Sequence, residues 1–409
     1  MTVPIAAAKG NEEMNKFDIT YFHGPTSEYI VRPETIADIA AAGITLVPLS
    51  ADAATIKRAL PLLDKFGLKA VVHDGRMNDV YWSDDIAGAD AAMKSIVEDY
   101  AGFDNIVGWD LVDEPSASKF PILAAMVRAL RRYSPDCETV INLFPSYASP
   151  EQLGTPDYRT HLEQFVNIVD PHYLSYDHYH FLGRESRNAI DSAEIDERER
   201  LIRLAAENTE DRAGFFENIE DVRSVAAKYD LAAMLIVLLT EHGPYRNLTR
   251  AELFWEVNMC LAYGMKRISY FTYWEPGHDD FWRWTNAMCD TEGNKTRHYE
   301  DVSVINRTIR AVGDYLFDKR SIAVFHIGST EKGTRLFGGY ANIKSIKGDH
   351  GVLGCFSDGS FYLVNRDFQN AQTFALDADT PLNVFRDGAF ARLDSTLITL
   401  PAGEAVLIK

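Results

Sequence analysis

Eight short apolar runs, at 17–22, 44–49, 68–73, 106–112, 139–144, 174–179, 233–240 and 268–273, alternate with segments of helical periodicity. This alternation constrains the fold more than any other feature of the chain. Strand, helix and strand in succession imply parallel βαβ units of an α/β protein. Eight such units in roughly 300 residues fit a closed (β/α)8 TIM barrel better than an open sheet. No Gly-x-Gly-x-x-Gly follows the first run to suggest a dinucleotide-binding sheet. Between runs the helical period is explicit: Phe120, Leu123, Ala124, Val127 and Leu130 recur at i, i+3, i+4 and i+7. From 320 onward the pattern changes to short runs, such as 360–365 and 405–408, broken by Gly, Asp, Asn and Pro. That is the signature of a small C-terminal all-β domain of sandwich type. The expected organisation is an extension at 1–16, a barrel at 17–319 and a β-sandwich domain at 320–409. Residues 182–212, rich in both charges, read as a helical insertion that either borders the barrel mouth or is simply solvated.

Charge narrows the partners. A formal net charge of -19 repels nucleic acid and anionic membranes, so neither is expected. Cys137, Cys260, Cys289 and Cys355 form no C-x-x-C pair, which argues against a disulfide framework or a cysteine zinc site. The first 16 residues lack the apolar core of a secretory signal, and no run approaches the length of a membrane span. The sequence as written therefore reads as cytoplasmic, or as periplasmic or secreted if a signal has been removed.

Two acidic residues stand where chemistry is expected. Glu114 ends the run Ile106-Val107-Gly108-Trp109-Asp110-Leu111-Val112-Asp113-Glu114-Pro115, and Glu241 ends Met234-Leu235-Ile236-Val237-Leu238-Leu239-Thr240-Glu241-His242-Gly243. In a parallel barrel both fall on the carboxyl-end rim, after the fourth and seventh strands, across the mouth from each other. Hydrolysis of a glycosidic bond requires such a pair: one carboxylic acid protonates the leaving oxygen, and one carboxylate attacks the sugar or activates water. Each residue also has a simpler reading. Glu114 with Pro115 suits a helix start, and Glu241 suits a cap or salt bridge.

The run from Trp109 to Pro115 resembles the acid/base motif of the clan A retaining glycoside hydrolases. The resemblance covers the barrel and implies an acid/base at Glu114, a nucleophile at Glu241, a carbohydrate substrate and no cofactor. One departure stands out: the residue before the acid/base is usually Asn, which hydrogen-bonds the sugar 2-hydroxyl, and here it is Asp113. In the sixth run Asp177-x-Tyr179 resembles a polar-x-Tyr pair that orients the nucleophile and contacts sugar. Period-two geometry points Asp177 and Tyr179 one way and His178 and His180 the other; His178 is kept as a candidate contact. Trp274, at the exit of the eighth run, resembles a Trp that stacks on the sugar. Glu275 is a second candidate nucleophile, and Trp282 and Trp284 either extend the aromatic platform or pack the following loop. His23 and His73, at the ends of the first and third runs, are candidate hydroxyl ligands or local capping residues.

Two other readings compete. A metal-dependent barrel hydrolase could draw on His23, His73, Asp177, His178 and His180, although one His-x-His without a clear third ligand is thin support and no metal is expected. A carbohydrate-binding protein without catalysis is the other, toward which Asp113 is the sole hint.

Overall fold

The computed structural model describes residues 16–183, 211–277 and 283–409. Residues 1–15, most of 182–212, and Trp282 lie outside them. Eight parallel strands form one sheet: β1 (Asp18–Tyr21), β2 (Leu46–Ala51), β3 (Lys69–Asp74), β4 (Ile106–Asp113), β5 (Glu138–Leu143), β6 (Tyr173–Asp177), β7 (Ala232–Leu238) and β9 (Arg267–Phe271). Their order, β1-β9-β7-β6-β5-β4-β3-β2, follows the chain around a ring. At the seam between β1 and β2, Thr45 closes it by donating its N–H to the Ile19 carbonyl at 2.9 Å. The short β8 (Glu241–His242) stands outside this sheet and pairs antiparallel with β10 (Trp284–Thr285).

Burial explains why the strands were so legible. In β7 every residue after Ala232 is buried, as a strand covered by helices on one side and barrel core on the other must be. The helices present the complementary pattern. Phe120–Tyr133 buries Phe120, Leu123, Ala124, Val127 and Leu130 and carries Arg131 and Arg132 in its last turn, favourable at a helix C-terminus.

The helix Arg250–Ala262 behaves differently. It starts with a capping box of Thr249 and Glu252 and is then buried on all sides, because it lies between the barrel and the C-terminal β-domain. Trp255 Nε1 donates to the Arg366 carbonyl at 3.0 Å, Asn258 Nδ2 donates to the Gly403 carbonyl at 2.9 Å, and the Tyr362 hydroxyl donates to Asn258 Oδ1 at 2.7 Å. The approach is close enough that a Cβ on Gly354 would sit 2.1 Å from the Ala262 carbonyl oxygen. Gly354→Ala is therefore expected to destabilise the protein by about 1–3 kcal/mol, read as a lower urea midpoint at unchanged slope.

The C-terminal domain is antiparallel. Six strands, β11 (Ser321–Ile327), β13 (Gly351–Phe356), β14 (Phe361–Asn365), β19 (Ala405–Ile408), β16 (Asn383–Arg386) and β17 (Ala389–Arg392), form one sheet. The other contains β12 (Ile343–Lys347), β15 (Gln372–Ala378) and β18 (Leu397–Leu400). Leu353, Leu363, Phe374, Leu376 and Ile398 fill a core separate from that of the barrel, which makes this a sandwich-like unit. Among the described residues no helix is long and apolar enough to cross a membrane.

Candidate active site

A bulge in β4 builds the acidic side of the barrel mouth. Asp110 pairs with Val140 and Val112 with Ile141, so Leu111 is an extra residue in the ladder. The extra residue changes the phase of the alternation. Asp110 lines the barrel interior with Thr20, Asn142, Ser175 and Arg267. Asp113, three residues on, also turns inward and accepts a hydrogen bond from Asn142 Nδ2 at 3.0 Å. Glu114 follows with φ of 46°, a left-handed conformation rare for a side chain of this size. Its N–H still extends the ladder, donating to the Asn142 carbonyl at 2.8 Å.

Three carboxyl groups meet here. Asn142 Nδ2 also donates to Asp177 Oδ1 at 3.1 Å, which ties the end of β6 to the end of β4. Burial pushes the Glu114 carboxyl up to about 7, with the charge of Asp113 adding to the effect. Asp177 is held well above the usual carboxylate range by burial and then by Glu114 and Asp113, with the Asn142 bond partly opposing. Asp113 is open to water on one side yet walled by protein on the others, and its carboxyl is likewise raised by burial. Asp110 is pushed up to about 6 by burial, with His73 opposing and Asp113 adding.

The raised carboxyl of Glu114 has a consequence for stability. An unfolded Glu ionises near 4.5, whereas the folded group does so at about 7, so the unfolded chain loses its proton first. The contribution of Glu114 is thus fully present below about 4.5 and is lost as pH rises through 7. Glu114→Gln, neutral throughout, is expected to match the parent at pH 4. At pH 8 it should exceed it by about 1–2 kcal/mol, after allowance for partial exposure, in urea titrations.

Glu241 sits on the opposite part of the rim in a different setting. Buried at 5% exposure, it accepts at Oε2 from Asn286 Nδ2 at 2.8 Å and from Thr285 Oγ1 at 3.3 Å. Both donors come from the segment that returns after β9 and pairs with β8 in register, Thr285 opposite Glu241 and Trp284 opposite His242. The His242 ring stacks on Trp284 with centroids 4.3 Å apart, and its Nδ1 donates to the Thr240 carbonyl at 2.8 Å.

Of the other expected residues, Tyr179 belongs to this region. Its ring lies 5.3 Å from Phe271, 5.3 Å from Tyr245 and 6.2 Å from His242. His178 does not. It is buried on the outer side of the strand end, where its Nδ1 donates to Asn218 Oδ1 at 2.9 Å and burial lowers its pKa to about 3. The candidate contact at His178 is therefore corrected to a packing residue under the helix Phe215–Lys228, as the alternation with Asp177 requires. His180 goes the same way, stacking on Trp255 with its Nδ1 donating to the Arg212 carbonyl.

Trp274 is also corrected. Only 2% exposed, it packs 4.7 Å from the Tyr29 ring and against Gly293, so it presents no face to the mouth. The reason is that β9 ends at Phe271 and the chain then turns away, Tyr273 and Trp274 donating their N–H groups to the His23 carbonyl. Part-exposed aromatics at the strand ends include Phe271, Phe22, Tyr179 and Trp284, with Phe22 and Trp284 each 5.8 Å from Phe271. Glu275 is half-buried beside the backbone N–H groups of Asn286 and Thr291 and is pushed up to about 7 by burial and then by Asp290.

His23 is accessible at the rim, with a pKa below the usual value through burial by its surroundings. His73 uses both ring nitrogens locally, Nδ1 donating to the Asp110 carbonyl at 3.0 Å and Nε2 accepting from Asn78 at 2.9 Å. The histidines thus point to separate places, and among the described residues no group of three or more His, Cys, Asp or Glu is arranged to hold a metal ion.

Sequence reasoning overlooked Asn142, Ser175, Thr285 and Asn286. Asn142 and Ser175 carried a signal, being polar residues among the apolar residues of β5 and β6. Thr285 and Asn286 carried none, because they reach Glu241 across 44 and 45 residues of chain.

No family model matches the sequence, and no curated protein matches it. Solved structures do. The β-galactosidase from Bacillus circulans sp. alkalophilus superposes with a TM-score of 0.62 at 11% identity, over 97% of this chain and 99% of that one. A glycoside hydrolase of family 5 from Bacteroides vulgatus gives 0.58 at 10% identity, over 96% and 89%. The β-galactosidase from the psychrophilic Marinomonas ef1 gives 0.50 at 10% identity, over 74% of this chain. This chain spans only 61% of the Marinomonas enzyme and 59% of the β-galactosidase from Rahnella sp. R3. At such identities the likeness is one of architecture: the fold of this chain, an α/β barrel followed by a C-terminal β-domain, is similar to that of these solved glycoside hydrolases.

Proposed function

We propose that the protein is a retaining glycoside hydrolase acting on a β-linked oligo- or polysaccharide, with Glu114 as acid/base and Glu241 as nucleophile. The observation that carries this reading is the contrast between two glutamates on one rim. Glu114, after β4, sits where burial and Asp113 keep its proton to about pH 7, which suits an acid that must protonate a leaving oxygen near neutrality. Glu241, after β7, is oriented by Asn286 and Thr285, which donate to one carboxylate oxygen.

In the first step Glu241 attacks the anomeric carbon while the Glu114 proton passes to the departing oxygen. In the second, Glu114 takes a proton from water, and the resulting hydroxide displaces Glu241 from the sugar. Asp177 is the less suitable nucleophile, since burial and two neighbouring carboxyls keep it protonated. Phe271, Tyr179 and Trp284 offer aromatic surface for the sugar's C–H face. Asp113 and His23 are further contacts of the reading, and Glu275 its second-ranked nucleophile. We assign the chemistry to residues 17–319 and treat 320–409 as a separate β-domain. No cofactor enters the mechanism.

A panel of aryl β-glycosides and oligosaccharides tests the proposal. Turnover of at least one member is expected, with kcat/KM falling above about pH 7 as Glu114 loses its proton. A protein that binds these sugars but never releases product is not a hydrolase.

A further inference from the structure

Asp113, Asn142 and Ser175 stand side by side on β4, β5 and β6, Asn142 pairing in register with both. All three turn toward the barrel axis. The Asn142 side chain is buried, and both hydrogens of its amide nitrogen are spent, one on Asp113 Oδ1 at 3.0 Å and one on Asp177 Oδ1 at 3.1 Å. Its carbonyl oxygen accepts from Ser175 Oγ at 2.9 Å. This fixes the amide's orientation, since the flipped arrangement would press a carbonyl oxygen against two carboxyl groups. The main-chain carbonyl of the same residue receives the Glu114 N–H. One residue therefore touches the backbone of Glu114 and the side chains of both acids beside it.

We propose that Asn142 is a positioning residue that clamps Asp113 and Asp177 beside Glu114, so that the three carboxyl groups bind protons as one unit. The role of Glu114 as acid rests on the reading above; the clamp on Asp113 and Asp177 rests on the Asn142 hydrogen bonds, and Glu114 joins the unit through its backbone N–H to Asn142 and the charge it presents to Asp177. Other titratable and charged groups face the unit from several elements. His73 and Asp110 lie on β3 and β4 beneath it, and Tyr179 beyond β6. Tyr147 and Tyr245 close in from the loops after β5 and β7. Arg212 stands behind those tyrosines, its guanidinium 4.1 Å from the Tyr147 ring centroid and its Nε donating to the Tyr179 carbonyl. The acids thus face tyrosine hydroxyls with Arg212 behind them and Asp110 and His73 beneath, and one amide joins Asp113 to Asp177. Three interacting carboxyls titrate in macroscopic steps that belong to the group.

Asn142→Asp changes shape little but replaces the shared donor with a further carboxyl. The native protein then holds about one more proton near neutral pH, and stability falls more steeply as pH rises from 5 to 8. The folding equilibrium constant should lose about a further tenfold per pH unit relative to the parent. Ser175→Ala, which frees only the amide's far end, should change the slope in the same direction by less than half as much.

If Glu114 is the acid, the alkaline limb of kcat/KM should move to higher pH in both variants, Asn142→Asp the further, with KM little changed. Should Asn142→Asp fail to fold, Ser175→Ala carries the test. Slopes and limbs identical to the parent's in every variant that folds overturn the clamp. A changed stability slope in a protein that turns over no glycoside upholds the clamp and instead removes the hydrolase reading.

Discussion

Glu114→Gln is expected to lose about 10²- to 10⁴-fold in kcat/KM on glycosides with poor leaving groups, and almost nothing on aryl glycosides whose phenols leave unaided. The asymmetry follows from the role. An alcohol leaving group must be protonated as the bond breaks, and Glu114 is a rim carboxyl whose raised pKa, about 7, lets it carry a proton near neutrality while meeting water. Plotting log kcat against the leaving group's pKa should give a steep line for Glu114→Gln and a shallow one for the parent. Equal losses on both substrate types would mean that Glu114 orients the sugar or supports the fold and gives no proton. With Glu114→Ala, azide should restore turnover of activated substrates, because a small anion can reach the glycosyl enzyme where water is no longer activated.

Glu241→Ala should behave otherwise, losing on the order of 10⁵-fold on every substrate, activated ones included, because no leaving group substitutes for an absent nucleophile. Among the contacts it removes are the hydrogen bonds from Asn286 and Thr285, a loss of about 1–3 kcal/mol that a folded domain tolerates. Normal folding by circular dichroism with loss of turnover across the panel is the expected pair of results. Retained activity on activated substrates would move the nucleophile elsewhere, with Glu275 the next carboxyl to replace.

The barrel was legible because parallel strands bury both faces and so read as near-continuous apolar runs, β7 most plainly. The outward direction of His178 and His180 was legible for a related reason, since alternation persists past the end of β6 even where the ladder stops. What a linear reading could not reach were breaks of phase and returns of chain. Leu111 is as apolar as its neighbours, so nothing in the sequence announces that it is bulged, and without the bulge Asp110 and Asp113 would face opposite sides. Trp274 follows an aromatic strand and reads as its tip, yet the ladder ends at Phe271 and the Trp is drawn under Tyr29. Asp113 looked like a departure from the residue type expected before an acid/base. In the fold it receives an amide from the neighbouring strand, supplied by Asn142.

The central claim, a covalent glycosyl intermediate on Glu241 formed with Glu114 as acid, is tested most directly by trapping that intermediate. A 2-fluoro aryl glycoside of whichever sugar the panel identifies should inactivate the enzyme in a time-dependent manner, and mass mapping of the digest should place one fluoroglycosyl group on the peptide containing Glu241. A label on Glu275 or Asp177, or steady inverting turnover with no labelled peptide, would contradict the account.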